Sequence, residues 1–300
     1  NRLRAISVSL SHDRTQATAM ALAHADRAAP SRAARLLYRA VPLRRAVVLE
    51  NLRRVYGDVA DDAEIERIAA GHYGHLGRLA WEFFWFPWLS EARRRAMVRV
   101  ENLDRLIAVH ERGRGVLVLT GHFGNFEVAT AAGLAQYPQA RGRFHFVRRA
   151  IRPAWLDALV ARRFRRVGFG VLPKRGSLDA IVERLSAGDL IVFPFDQHAG
   201  RREGVLVDFF GHPAGTLRSL AVIALTTGAP VVPASTWREP DGRHVLRFED
   251  ELPPLDHPDA AEAIRLNTLA YNRALERLIV RHPEQWWWVH RRWKLWPPRR

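Results

Sequence analysis

From Gly115 onward the chain alternates between two textures, and that alternation limits its fold more than any other feature. Short runs rich in Val, Ile and Phe occupy Val116–Thr120, Arg143–Arg148, Leu190–Phe195, Val231–Trp237 and His244–Glu249. Between them lie stretches with apolar residues at helical spacing: Phe126–Gln136, Pro153–Val167, Ser177–Ala187, Thr216–Thr227 and Ala260–His282. Runs that are apolar almost throughout fit strands buried on both faces, and such strands need helices above and below. The pattern predicts an α/β fold, a central mixed sheet flanked by helices on both faces in an αβα sandwich.

The first hundred residues read differently. Arg32–Tyr38, Leu43–Tyr56, Ala63–Arg78 and Glu91–Arg99 carry helical periodicity, interrupted at Pro42, Gly57 and Pro87. The expected organisation is a helical, membrane-proximal section over 1–100 followed by one continuous α/β domain over 101–300. No stretch reaches about 18 uninterrupted apolar residues, so no transmembrane helix is predicted. The opening Asn1–Pro30 is polar and Ala-rich, without the apolar core of a secretory signal.

Composition narrows the function classes. With no cysteine, the chain cannot build a disulfide scaffold, a thiolate zinc site, an iron–sulfur cluster or a cysteine nucleophile. Its formal charge is +16, and the only lysines are Lys174 and Lys294, so 45 of the 47 basic residues are arginine. A GC-rich genome accounts for arginine over lysine but not for the excess of base over acid. That excess implies anionic company: nucleic acid, an anionic membrane surface or an acidic protein. No helix-turn-helix, zinc-finger or RNA-recognition pattern is present, so nucleic acid is not the expected partner. A basic membrane- or nucleic-acid-binding module without catalysis stands as the alternative from another class.

The segment richest in chemistry is Thr120-Gly121-His122-Phe123-Gly124-Asn125-Phe126-Glu127. A strand ends, glycines permit a tight turn, and a helix begins near Asn125; open α/β sheets place ligands at such strand ends. A carboxylate one helical turn on can accept an imidazole N–H and fix its tautomer, leaving the other nitrogen as a general base. The same spacing also fits a loop histidine bonded to a helix-capping carboxylate. No third metal ligand lies at a telling spacing, and neither a P-loop nor a Gly-x-Ser-x-Gly elbow is present.

This segment resembles the His-x4-Asp/Glu signature of the glycerolipid acyltransferase superfamily, and is especially similar to the version in the late acyltransferases of lipid A biosynthesis. Further blocks follow in that family's order. They are Arg44-Arg45 with Asn51-Leu52-Arg53-Arg54-Val55-Tyr56; Phe146-Val147-Arg148 with Pro153; Phe193-Pro194-Phe195-Asp196-Gln197 with Gly200, Phe209-Phe210-Gly211 and Thr216; Gly228-Ala229-Pro230-Val231-Val232-Pro233; and the closing Pro283–Lys294. The likeness covers roughly residues 35–296.

The resemblance implies an O-acyltransferase of the cytoplasmic face of the bacterial inner membrane. It would move a fatty acyl chain from a thioester, acyl carrier protein in preference to acyl-coenzyme A, to a hydroxyl of a phosphorylated lipid A precursor. A lysophospholipid or another glycolipid is the alternative acceptor within the class. No metal or cofactor is called for, since thioester-to-ester exchange needs only base, oxyanion stabilisation and positioning. By this resemblance His122 is the general base and Glu127 orients it. Arg148, Arg175, Arg218 and Asn125 would contact substrate, and Asp196 would orient substrate or an arginine. His290 is read as structural. Many family members carry an N-terminal apolar anchor where this chain has its polar opening. Two aromatic stretches have the composition of a membrane interface or of tight packing: Trp81–Leu89, which could also line an acyl tunnel, and the tryptophans of 286–296.

Overall fold

The computed structural model describes residues 3–12, 17–25 and 29–296, apart from 151, 167, 175 and 295. Two strands, β1 (Leu3–His12) and β2 (Ala17–Ala25), pair antiparallel ahead of the helical section. Helices α1 (Arg32–Ala40), α2 (Arg45–Tyr56), α3 (Asp62–Trp85) and α4 (Glu91–Ala96) follow. The 24-residue α3 starts on Asp61, whose side chain accepts the Glu64 N–H at 2.8 Å. Glycine at 74 lets α1 lie close against it, because a Cβ there would stand 2.5 Å from the Ala34 Cβ.

The rest alternates strand and helix: β3 (Val98–Glu101), α5 (Leu103–His110), β4 (Val116–Thr120), α6 (Phe126–Gly133), β5 (Phe144–Arg148), α7 (Ala154–Arg166), β6 (Phe169–Pro173), α8 (Leu178–Ser186) and β7 (Leu190–Pro194). A hairpin of β8 (Gly204–Phe209) and β9 (His212–Leu217) then leads to α9 (Ser219–Thr227), β10 (Val231–Arg238), β11 (His244–Phe248) and α10 (Ala260–Ile279). The seven-stranded sheet has the order β3-β11-β10-β4-β7-β5-β6, parallel throughout except for the β10–β11 pair. The chain is therefore the expected α/β sandwich with a mixed sheet.

Alternate residues of the central strands enter two apolar cores. Leu117, Leu119, Ile191 and Phe193 pack on one face with α2, α3, α8, α9 and α10. Val116, Val118, Leu190 and Val192 pack on the other with α5, α6 and α7. Two expected helices begin or end elsewhere: Val98 and Arg99 start an edge strand, and Thr216 and Leu217 close β9 before α9 begins at Ser219. Among the described residues no helix is long and apolar enough to cross a membrane.

Candidate active site

Strand register brings the chemistry together. Parallel β4 and β7 are neighbours, with Thr120 opposite Pro194, and the Phe195 N–H reaches the Thr120 carbonyl at 2.8 Å. Two residues beyond each member of that pair stand His122 and Asp196. The His122 Nδ1 lies 2.8 Å from Asp196 Oδ1, and the His122 backbone N–H donates to Oδ2 at 2.7 Å. A third donor, the Trp286 indole N–H, reaches Oδ2 at 2.8 Å. Glycine suits position 121, because a Cβ there would stand 2.8 Å from the Phe123 ring and 3.0 Å from that same carboxylate oxygen.

Burial alone would keep Asp196 protonated, since it is 2% exposed, but the imidazole's charge and these donors hold its pKa down at about 2. Desolvation pulls His122 the other way; the charge and hydrogen bond of Asp196 outweigh it and the pull of Lys174, so its pKa stands above the ordinary value. A carboxylate on Nδ1 leaves Nε2 as the basic nitrogen, 3.4 Å from the Gln197 amide nitrogen.

Glu127, the expected partner of His122, sits elsewhere. It opens α6 with one oxygen 3.9 Å from an Arg163 guanidinium nitrogen, and burial raises its pKa despite that arginine. His122 and Glu127 do share one cavity of about 200 Å³, walled by Phe83, Phe86, Phe126 and Arg163. His122 and Phe126 also border a narrow apolar slot of about 40 Å³ between α6 and the sheet, with Phe146, Val192 and Phe144 along it. Phe144 in turn borders a third opening of about 190 Å³ whose lining mixes Ala131, Ala135 and Ala140 with Glu91, Arg94 and Arg141.

Other expected site residues meet different fates. Asn125 is buried and used at both ends, donating to Glu82 Oε2 at 2.7 Å and accepting the Val128 N–H at 3.1 Å. Arg148 pairs with Asp157 at 2.6 Å, its side chain 16% exposed. Arg218 is exposed at the start of α9, near Arg202. Arg175 lies outside the described residues. His290 accepts the His198 N–H at 3.0 Å, and burial lowers its pKa to about 4.

A supporting scaffold was not legible from motif spacing. Glu82 bonds Arg238 through two oxygens and stands 3.4 Å from His244; its pKa is about 2, because the hydrogen bonds and charges of His244 and Arg238 overcome burial. The one signal in the sequence is a lone acid inside the aromatic run Trp81–Leu89. That run divides in space: Phe83 and Phe86 wall the cavity, while Trp81, Phe84, Trp85 and Trp88 face outward. The closing tryptophans mostly pack instead, with Trp286, Trp288 and Trp293 buried. Asn51 donates to the Trp288 and His290 carbonyls at 2.8 Å each, and Arg44 to that of Val289 at 2.9 Å. The first motif block thus holds the last, which holds Asp196, which holds His122.

A histidine held by a buried carboxylate thus stands at the carboxyl edge of an α/β sheet, between a cavity and an apolar slot. The chain is matched over residues 20–295 by the model of the bacterial lipid A biosynthesis acyltransferase family, and it belongs to that family. It is 29% identical over 245 residues to the lipid A biosynthesis palmitoleoyltransferase of Escherichia coli K12, covering 78% of this chain and 74% of the relative. It is 28% identical over 251 residues to a phosphatidylinositol mannoside acyltransferase of Mycolicibacterium smegmatis, covering 81% and 77%. The lipid A biosynthesis lauroyltransferase of Escherichia coli K12 is 24% identical over 275 residues, covering 88% and 83%. The chain is an acyltransferase.

Proposed function

We propose that this acyltransferase moves a fatty acyl group from a thioester, with acyl carrier protein the preferred donor, to a hydroxyl of a phosphorylated lipid A precursor. His122 is the base and Asp196 its orienting partner; the observation that carries this is the 2.8 Å hydrogen bond that Nδ1–H donates to Asp196, which leaves Nε2, with the Gln197 amide 3.4 Å away, as the basic nitrogen. The acceptor hydroxyl gives its proton to Nε2 as its oxygen attacks the thioester carbonyl carbon. The tetrahedral intermediate collapses, the C–S bond breaks, and the imidazolium returns the proton to the departing sulfur. The N-terminus of α6, whose residues 125–128 line the cavity, places positive potential beside the developing oxyanion. Glu127 and Arg163 form the cavity wall on which the acceptor rests.

The acyl chain lies in the slot between α6 and the sheet, where Phe126 and Phe144 part to admit it. The outward aromatic residues 81, 84, 85 and 88 flank the cavity and enter the cytoplasmic leaflet of the inner membrane. The chain's +16 charge favours both an anionic surface and an acidic carrier protein. The relative named for phosphatidylinositol mannoside supports a second acceptor class, another phosphorylated glycolipid.

Mass spectrometry of products tests this. The protein is incubated with acyl carrier protein or coenzyme A thioesters and with each glycolipid. Transfer to the lipid A precursor that is abolished in His122→Ala supports the proposal. Thioester loss without a heavier acceptor makes the protein a hydrolase, and no turnover with any pair makes it a binding module.

A further inference from the structure

A cavity of about 480 Å³ lies on the opposite face of the sheet from the slot that His122 overlooks. Its floor is apolar, formed by Val147, Phe193, Leu217 and Ile223 among others. Its rim carries Lys174, Arg202 and Arg218, all exposed, against one acid, Glu203. Helices α8 and α9 both begin at this rim, and neither is capped by its own N-cap side chain. The Ser177 hydroxyl donates back to the Pro173 carbonyl, and Arg218 offers no oxygen. Two helix starts add positive potential to three cations around one mouth.

The cavity also touches the reaction centre. Pro194, two residues before Asp196, borders both this cavity and the apolar slot that His122 overlooks. Lys174 is close enough to depress the imidazole's basicity. Two cavities of different character therefore approach Pro194, at the end of β7, from opposite faces of the sheet.

We propose that this second cavity binds a phosphate-bearing amphiphile, its phosphate at Lys174, Arg202 and Arg218 and its less polar part along Val147 and Phe193. The assignment rests on the acyl-transfer reading for its place in the reaction. Within that reading two molecules share the chemistry: the phosphopantetheine arm of the donor and the phosphorylated headgroup of the acceptor. A small carboxylate would leave the apolar floor uncovered, and a neutral lipid would make no use of the exposed guanidinium groups of Arg202 and Arg218.

Equilibrium binding to the full chain decides it, because one substrate alone cannot turn over. Coenzyme A in solution and the phosphorylated acyl-disaccharide in detergent micelles are titrated into wild type, Arg202→Ala/Arg218→Ala and Val222→Trp. Both arginines are exposed, so the double variant keeps its fold; melting temperature checks this, and Val222→Trp, at a residue that also lines the cavity, fills it without removing charge. At least one probe is expected to bind about tenfold more weakly to each variant, with affinity falling as salt rises. Weakening of coenzyme A alone assigns the donor arm, and of the disaccharide alone the acceptor headgroup. Unchanged binding of both probes in both variants, or no binding of either to wild type, overturns the site. If wild type binds but transfers no acyl group, the acyl-transfer reading falls while the cavity assignment stands.

Discussion

Replacing Asp196 by asparagine tests which carboxylate serves His122, and the geometry dictates the outcome. The carboxylate accepts three N–H groups, from His122 Nδ1, the His122 backbone and Trp286, at 2.8, 2.7 and 2.8 Å. Asparagine has one oxygen. If that oxygen faces Nδ1, the amide nitrogen confronts the two other donors, leaving them buried and unpaired at a cost of about 1–3 kcal/mol each. If the oxygen faces those two, the amide donates to Nδ1 and all three contacts survive. The second orientation wins. It forces the imidazole proton onto Nε2, where the base should be.

Asp196→Asn is therefore expected to keep the fold, less stable at neutral pH by about 2 kcal/mol, while losing about 10³–10⁴-fold in turnover, about 4–5.5 kcal/mol of barrier. Its imidazole also loses the negative charge that offsets desolvation, so the His122 pKa drops below 6.5 from its raised wild-type position. The assays are steady-state acyl transfer over about pH 5–9 and an NMR titration of the His122 ring. In wild type the rate rises with pH as the raised pKa is passed, because the neutral ring is the base. Glu127→Gln removes the partner of Arg163 and acts through the cavity wall, so the ring titrates where it did in wild type. A His122 pKa that falls in Glu127→Gln and stays put in Asp196→Asn would refute the assignment.

Truncating Phe144 to alanine should shift acyl preference toward longer chains, read by competition among thioesters. Register sets it level with Val116, about 13 Å along the sheet from Thr120, where its ring stands between the slot and the opening beyond, whose walls mix Ala131 and Ala135 with Arg94 and Arg141. Glu82→Ala strands a buried guanidinium at Arg238 and frees Asn125, so thermal unfolding should report a loss of about 3–5 kcal/mol. The double variant Trp81→Ala/Trp88→Ala removes side chains that are 68% and 87% exposed. Its melting temperature should hold while binding to anionic vesicles in sedimentation weakens by about tenfold or more. Stability should also fall in acid: the Asp196 pKa drops from 3.8 unfolded to about 2 folded. Its contribution of about 2 kcal/mol is present above 3.8 and disappears as pH falls toward 2, a loss absent from Asp196→Asn in denaturant titrations.

The sandwich was legible because its central strands are buried on both faces and read as unbroken apolar runs, Val116–Thr120 and Leu190–Phe195 above all. Edge and hairpin strands were not. Val98–Glu101 is half arginine and acid, and β9 contains Pro213, Gly215 and Thr216, so neither carries that signal. His122 was legible for a local reason, since a strand, a glycine turn and a helix start are all visible within eight residues. Its partner was not, because spacing along the chain favours the carboxylate five residues on over one 74 residues away. What reverses that preference is topology: the chain runs from β4 across to β5 and β6 before α8 returns it, so β7 enters between β4 and β5. That insertion puts Asp196 in register beside His122. The same reasoning explains why Asn125 and Arg148 promised more as ligand contacts than their surroundings leave open. A polar side chain looks available in a sequence until its tertiary partner is known, and here Glu82 and Asp157 take them. Arginine at 202 and 218 stands at the opposite extreme, exposed on a cationic rim above an apolar cavity. Among so many arginines, the informative distinction is between guanidinium groups already committed to a carboxylate and those gathered at a mouth where positive charge outnumbers negative.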